Sequence, residues 1–423
     1  MPSTRPNKLT LRAYQVGFGD CFLLTFHYTN KDRHVLIDFG STGLPKTAPA
    51  DLMLRVAKDI KEQSGGKLHA VVATHRHKDH ISGFATSKGK GSGDIIAECN
   101  PDVVIQPWTE DPRAKPDATS ATRLSDTKSF VGALDSMHSV SESLLSELQG
   151  LRTGISRTAF NQLAFLGEDN LTNKSAVENL MNMSKRHFYV NAGSKSGLES
   201  VLPGVKTVVM GPPTVDQSNT ITKMRSKDAD EFWHLLGLAG QAIVRGKGKL
   251  FPRAETYAAP PAQSRWLIRR MQKLRGEQML ELVRALDDVM NNTSIILLFQ
   301  AGDKKFLFPG DAQLENWSYA LSQKKNKNLL RDVNVYKVGH HGSLNATPKS
   351  LWALFSNRSA TASAKRLQTV VSTMAGKHGS SSKGTEVPRS KLVEELRKLS
   401  NYFTTQDLRT KSIIRKDFEF DLT

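Results

Sequence analysis

Cysteine is scarce: Cys21 and Cys99 are the only two in 423 residues. They form no Cys-x-x-Cys pair, so no disulfide framework can be read, and a reducing, cytoplasmic setting is expected. Long apolar runs are missing as well. No stretch of about 18 uncharged apolar residues occurs, which excludes an evident membrane-spanning helix. Residues 1–9 hold no apolar segment followed by small residues, so no secretory signal is expected there. Acids are in deficit, with 41 Asp and Glu against 59 Lys and Arg and a formal charge of +18. A surface of that sign attracts polyanions such as nucleic acid or acidic phospholipid, and equally serves only to keep a chain in solution. Nucleic acid or another polyanion is therefore the expected partner, and whether a partner protein joins it is left open.

With 38% hydrophobic residues, a chain of this length can bury one large core or two ordinary ones. Residues 9–26 read as two strands around Gly17-Phe18-Gly19-Asp20, and residues 34–40 as a buried strand ending in Asp38. Residues 51–63 carry apolar side chains at helical spacing up to Gly65-Gly66, and a strand at 70–73 leads into a cluster of histidines. From about 112 to 290 the pattern changes to long charged amphipathic segments, broken by a β-like piece at 205–210 that suggests a return to the sheet. A hairpin is expected at 294–308 around Gly302-Asp303, a helix at 314–330, a strand at 333–338 and another at 369–373. Strands then helices, twice over, predict a layered α/β fold, an αββα sandwich.

The strongest signal is His75-Arg76-His77-Lys78-Asp79-His80 at the end of a strand. Three imidazoles and a carboxylate within six residues are costly unless a cation organises them, and nitrogen with carboxylate oxygen suits zinc or a similar borderline metal. In so tight a turn His75 and His77 can face one metal while Asp79 and His80 point toward a second position. One or two divalent metals, zinc or manganese, are the expected cofactors.

These motifs resemble the metallo-β-lactamase superfamily: Asp38 after its strand, the HRHKDH run, Pro309-Gly310-Asp311 and Gly339-His340, in matching order. The resemblance implies a first half of the sandwich in residues 1–111, a mainly helical basic insertion in 112–290 and a second half in 291–423. It implies that Asp311 bridges two metals, that His340 completes the second site, and that Asp38 orients the ligand histidines. The spacing leaves open which of His340 and His341 is the ligand; His340, closing its strand, is expected. The place of the family's third-motif histidine holds Met290, Asn291 and Asn292, so Asn292 is left to offer an oxygen or a hydrogen bond, and the first metal site is expected to be weak.

A narrower resemblance, in residues 16–20, 291–294, 308–312 and 338–343, is to the soluble hydrolase domain of DNA-uptake competence proteins. Phosphorylcholine esterases share these elements, so phosphoester chemistry is implied more firmly than a substrate. His341 and Ser343 are placed to donate hydrogen bonds to a substrate oxyanion, and Asp79 to orient a metal-bound hydroxide. His378 reads as a phosphate contact, a proton donor or a solvated loop residue. Residues 245–275 carry nine basic residues against one acid. Arg265, Arg269, Arg270 and Lys273 there are candidates for binding a nucleic-acid backbone, although their spacing also suits a solvated helix face. The expected function is a metal-dependent phosphodiesterase or nuclease. The alternatives are hydrolysis of a small ester or phosphoester, such as a cyclic nucleotide, lactone or phosphorylcholine, and a degenerate nucleic-acid-binding module.

Overall fold

Alternation along the strands builds three apolar layers. In β2 (Cys21–His27) Phe22, Leu24 and Phe26 point to one side and Cys21 and Leu23 to the other. In β8 (Ile296–Ala301) Leu297 and Phe299 oppose Ile296 and Leu298 in the same way. A strand buried on both faces must lie in a sheet covered on both sides. The computed structural model describes residues 5–111, 174–218, 290–379, 386–408 and 414–422, and shows two such sheets face to face.

The first sheet has the order β13-β1-β2-β3-β4-β5-β6, with β1 Lys8–Tyr14, β3 Asp32–Phe39, β4 Ala70–Val72, β5 Val104–Pro107, β6 His187–Val190 and β13 Arg415–Asp421. The second runs β12-β11-β10-β9-β8-β7, with β7 Val205–Gly211, β9 Lys304–Phe308, β10 Val335–Lys337, β11 Gln368–Val371 and β12 Asn401–Thr404. Between the sheets lies the central core, where Phe26 meets Phe299 at 5.9 Å between ring centroids. Helices α1 (Leu52–Gln63), α3 (Ser92–Glu98) and α4 (Lys174–Asn182) cover the outside of the first sheet, and α1 turns Leu52, Val56, Ala57 and Ile60 onto it. Helices α5 (Leu314–Ser322), α6 (Lys324–Leu330), α7 (Lys349–Leu354) and α8 (Ser390–Leu399) flank the second. This is the αββα arrangement.

The region expected as an insertion is not separate throughout. Residues 187–211 supply β6 and β7, which pair with β5 and β8 as edges of the two sheets. The other expected segments of that region, including the basic run 245–275, lie outside the described residues. Gln323, extended at φ −81° and ψ 114°, splits the single helix expected over 314–330. Among the described residues no helix is long and apolar enough to cross a membrane.

Pairs β3–β4–β5 and β9–β10–β11 are parallel. Their carboxyl ends therefore open on one edge of the sandwich, the place where α/β sheets present their sites.

Candidate metal centre

β3 delivers Asp38 to this edge with φ at 54°. Asp38 Oδ1 accepts the Thr74 N–H at 2.7 Å, and Oδ2 accepts the Thr74 hydroxyl at 2.7 Å and His80 Nδ1–H at 2.8 Å. Just beyond β4 the chain turns through His75 and His77 into a single helical turn, α2 (Lys78–Ile81), which carries Asp79 and His80. Backbone of the Gly-Phe-Gly-Asp turn packs behind this loop: Asp20 N–H donates to the Asp79 carbonyl at 3.0 Å. A Cβ on Gly19 would stand 2.7 Å from that same oxygen, and one on Gly40 only 2.4 Å from the Asp79 carbonyl carbon. The close approach admits no side chain at either place.

The opposite sheet contributes Asp311 and the His340-His341 pair. Ser294 Oγ accepts the Asp311 N–H at 3.1 Å, which anchors the turn after β9. His340 and His341 are consecutive left-handed residues, with φ 43° and 52°. Each such residue costs on the order of 1–3 kcal/mol and persists only where its surroundings enforce it. Here His341 Nδ1–H donates to the Ser372 carbonyl at 2.9 Å and Nε2–H donates to Asp79 Oδ2 at 2.6 Å, so Nε2 is the nitrogen that a cation would take over from its proton. Phe18 covers the ring at 4.2 Å between centroids.

Asp79, His80, Asp311 and His341 thereby form a buried tetrad, one ligand atom from each lying within 4.8 Å of the others. Beside it stand His75, His77 and Asp79, with His75 Nε2 and His77 Nδ1 3.0 Å apart. Asp311 Oδ2 has three imidazole nitrogens turned toward it: His80 Nε2 at 3.1 Å, His341 Nε2 at 3.8 Å and His340 Nε2 at 4.0 Å. Asp79 Oδ1 is buried and has no hydrogen-bond partner among the described residues.

Charge makes the same case. Four carboxylates, of Asp20, Asp38, Asp79 and Asp311, are at most 2% exposed, and Lys337 is the buried ammonium among them. Burial, the largest single influence, opposes charge on Asp79 and Asp311, yet His80 and His341 together at Asp79, and His80, Lys337 and His340 together at Asp311, outweigh it, and both carboxyls stay well below their ordinary range. In return, although burial opposes it, the carboxylates of Asp311, Asp79 and Asp38 hold His80 well above the ordinary imidazole value. Burial, His80 and His77 push His75 well below it, so its lone pair is available. A divalent cation among these donors would replace protons on His80 and His341, as metal binding at such sites does. The residues fit a metal: neutral imidazole and carboxylate are the donor set of zinc and manganese.

The expected residues do not all converge. His75, His77, Asp79, His80 and Asp311 come together, and Asp38 stands behind His80. His341, expected to contact substrate, sits in the tetrad, whereas His340, expected as the ligand, lies at its rim with a quarter of its side chain exposed. The backbone explains the exchange, since left-handed φ at both residues swings the second ring inward. Asn292 is not brought to the donors; its Nδ2 donates to Glu315 at 2.9 Å and its Oδ1 faces the Gln313 and Asn316 amides at the start of α5. Ser343 is half-buried at the rim, and His378 is close enough to His340 to lower its basicity. Arg265, Arg269, Arg270 and Lys273 lie outside the described residues. Sequence reasoning missed Asp20 and Lys337. A lysine inside the apolar strand Val335-Tyr336-Lys337-Val338, just before the histidine pair, was the available signal.

Residues 14–115 match the family model described as the metallo-beta-lactamase superfamily. No curated protein matches the chain. The matched segment contains Asp38 and the whole HRHKDH loop, and together with the buried His/Asp cluster it points to a metal-dependent hydrolase.

Proposed function

We propose that the protein is a metal-dependent phosphodiesterase acting on a polyanionic substrate, most simply a nuclease. The observation that carries this reading is the convergence of Asp79, His80, Asp311 and His341 beside His75 and His77, at an edge where two parallel strand sets end. One or two zinc or manganese ions held by these two groups would supply Lewis acidity and an acidified water. The chain's own residues do the rest. Asp38 fixes the His80 tautomer, the Ser372 carbonyl fixes that of His341, and Phe18 keeps water from the back of the His341 ring. Asp79, tethered by His341, leaves Oδ1 to accept a proton from the attacking water. Burial beside His341 and His378 outweighs nearby carboxylates and holds His340 down to about 4, so at neutral pH it is an uncharged contact for a substrate oxygen. His378, next to it, takes the role of proton donor to the leaving group.

The charge of +18 supports a polyanion over a small neutral ester, and the elements at 16–20, 291–294, 308–312 and 338–343 support phosphoester chemistry. Cleavage of plasmid DNA, single-stranded DNA, RNA and a generic aryl phosphodiester should be measured with Mn²⁺, Zn²⁺ and Mg²⁺, beside His77→Ala and Asp79→Ala. The expected result is phosphodiester turnover that chelator and both substitutions abolish, with nucleic-acid cleavage falling steeply as salt rises. Turnover of lactones or carboxylic esters with none of any phosphodiester would replace this reading by the small-ester one.

A further inference from the structure

We propose that Lys337 is a positioning residue of the metal centre, an ammonium that fixes Asp311 so that only Oδ2 is presented to a cation. The inference rests on the metal-centre reading above and adds to it a component outside the donor set. Lys337 shares the inter-sheet face of β10 with Val335, while Tyr336 and Val338 turn outward onto the helical layer. At 2% exposure its charge is withdrawn from water, which is tolerated only with compensating partners.

The ammonium has three protons, and the structure supplies three acceptors. Nζ is ion-paired with Asp20 Oδ2 across the sandwich and donates to the Gly310 carbonyl at 3.1 Å and to Asp311 Oδ1 at 3.4 Å. Asp311 Oδ1 also accepts the His340 N–H at 3.0 Å. With Oδ1 held by a charge and an amide, the carboxylate cannot rotate, and Oδ2 is the oxygen left facing the imidazoles of His80 and His341. Outer partners of this kind set ligand orientation, and removing one typically lowers metal affinity by roughly 10–100-fold.

The competing role is purely structural: Lys337 could serve only as the counter-ion of buried Asp20. Substitution separates the two. Protein stripped with chelator is titrated with Mn²⁺ alone, and the melting temperature of the metal-free form is recorded, for wild type, Lys337→Met, Asp20→Asn and Asp20→Asn with Lys337→Met. Lys337→Met should lose roughly 10–100-fold in Mn²⁺ affinity and melt earlier, because Asp20 is left uncompensated. The double variant should recover the melting temperature and not the affinity. Asp20→Asn alone, in which Lys337 still binds Asp311, should keep wild-type affinity. Should Lys337→Met not fold, the double variant decides, since it buries no lone charge at Asp20. Recovery of both properties in the double variant, wild-type affinity in Lys337→Met, or equal loss in Asp20→Asn and the double variant overturns the proposal. Wild-type protein that takes up no Mn²⁺ would overturn the metal centre itself, and Lys337's role with it.

Discussion

An imidazole ligates through whichever ring nitrogen its other hydrogen bond leaves bare. His80 and His341 each spend Nδ1 on a fixed oxygen, of Asp38 and of the Ser372 carbonyl, and offer Nε2 to the cluster. His340 Nδ1 has no such partner among the described residues, and its ring reaches solvent. His341→Ala should therefore lower bound metal by more than the roughly 10–100-fold typical of an outer partner, and turnover with it. His340→Ala should keep its metal and lose turnover alone. Elemental analysis after gel filtration checks both, and metal lost equally from the two variants would return His340 to the donor set. At this scale the HRHKDH loop, Asp38 and Asp311 were legible, because each directly follows a strand whose pattern is plain. The choice within Gly-His-His was not, since it depends on two left-handed backbones and on a carbonyl 31 residues away. Asp20 and Lys337 acquire meaning only from each other, across two sheets.

Among the elements, strands with both faces buried announced themselves, and of the edge strands only β7 did. β13 pairs with β1 along its whole length, from Lys8 opposite Asp421 to Tyr14 opposite Arg415. Its sequence RKDFEFD nevertheless reads as polar, because only Phe418 and Phe420 reach the core. β6 hides in the same way, with three of its four residues only half-buried. The amino-terminal ends of β3 and β4, opposite the metal centre, carry a prediction about stability. His34 N–H donates to His69 Nδ1 at 3.0 Å, His34 Nδ1 meets Thr25 Oγ1 at 3.0 Å, and both rings are almost fully enclosed. Burial holds each down to about 4, from 6.5 in an open chain; Asp32 and Asp102 favour their protonation, and Arg12, His27, Arg33, Lys31, Lys67 and the pairing of the two rings oppose it. Above pH 6.5 neither folded nor unfolded chain protonates them. Between 6.5 and 4 the unfolded chain binds protons that the fold refuses, so stability falls as pH drops through that window. Urea midpoints should fall less steeply over this range in His34→Gln with His69→Gln than in wild type. Parallel curves for the two proteins would show that the pair titrates alike in both states.

For the molecule as a whole, the donors come from both sheets, so the centre exists only when the sandwich closes: Asp79 and His80 belong to the first sheet's loops, Asp311 and His341 to the second's. The net charge of +18 surrounds a centre that is itself rich in carboxylates. Such a distribution draws a polyanion by its outer field while leaving the acidic interior to a cation. A phosphate backbone contacting several of these basic groups would release a counter-ion at each, giving binding a salt slope proportional to the contacts. Residues 245–275 concentrate nine of the 59 basic side chains against a single acid, in a region the family match does not reach. We expect substitution of Arg265, Arg269, Arg270 and Lys273 by Gln to weaken DNA or RNA binding and to flatten its salt slope by roughly one unit per lost contact. Hydrolysis of a small phosphodiester should stay at the wild-type rate, because the residues proposed to carry its chemistry, 75–80, Asp311, His340, His341 and His378, all lie outside this segment. Filter binding at a series of salt concentrations, beside turnover of the aryl phosphodiester, reads the two effects separately. Equal loss on both substrates would assign the segment to supporting the fold, and no loss on either would make it solvated surface, leaving the polyanion to be bound by the rest of the positive charge.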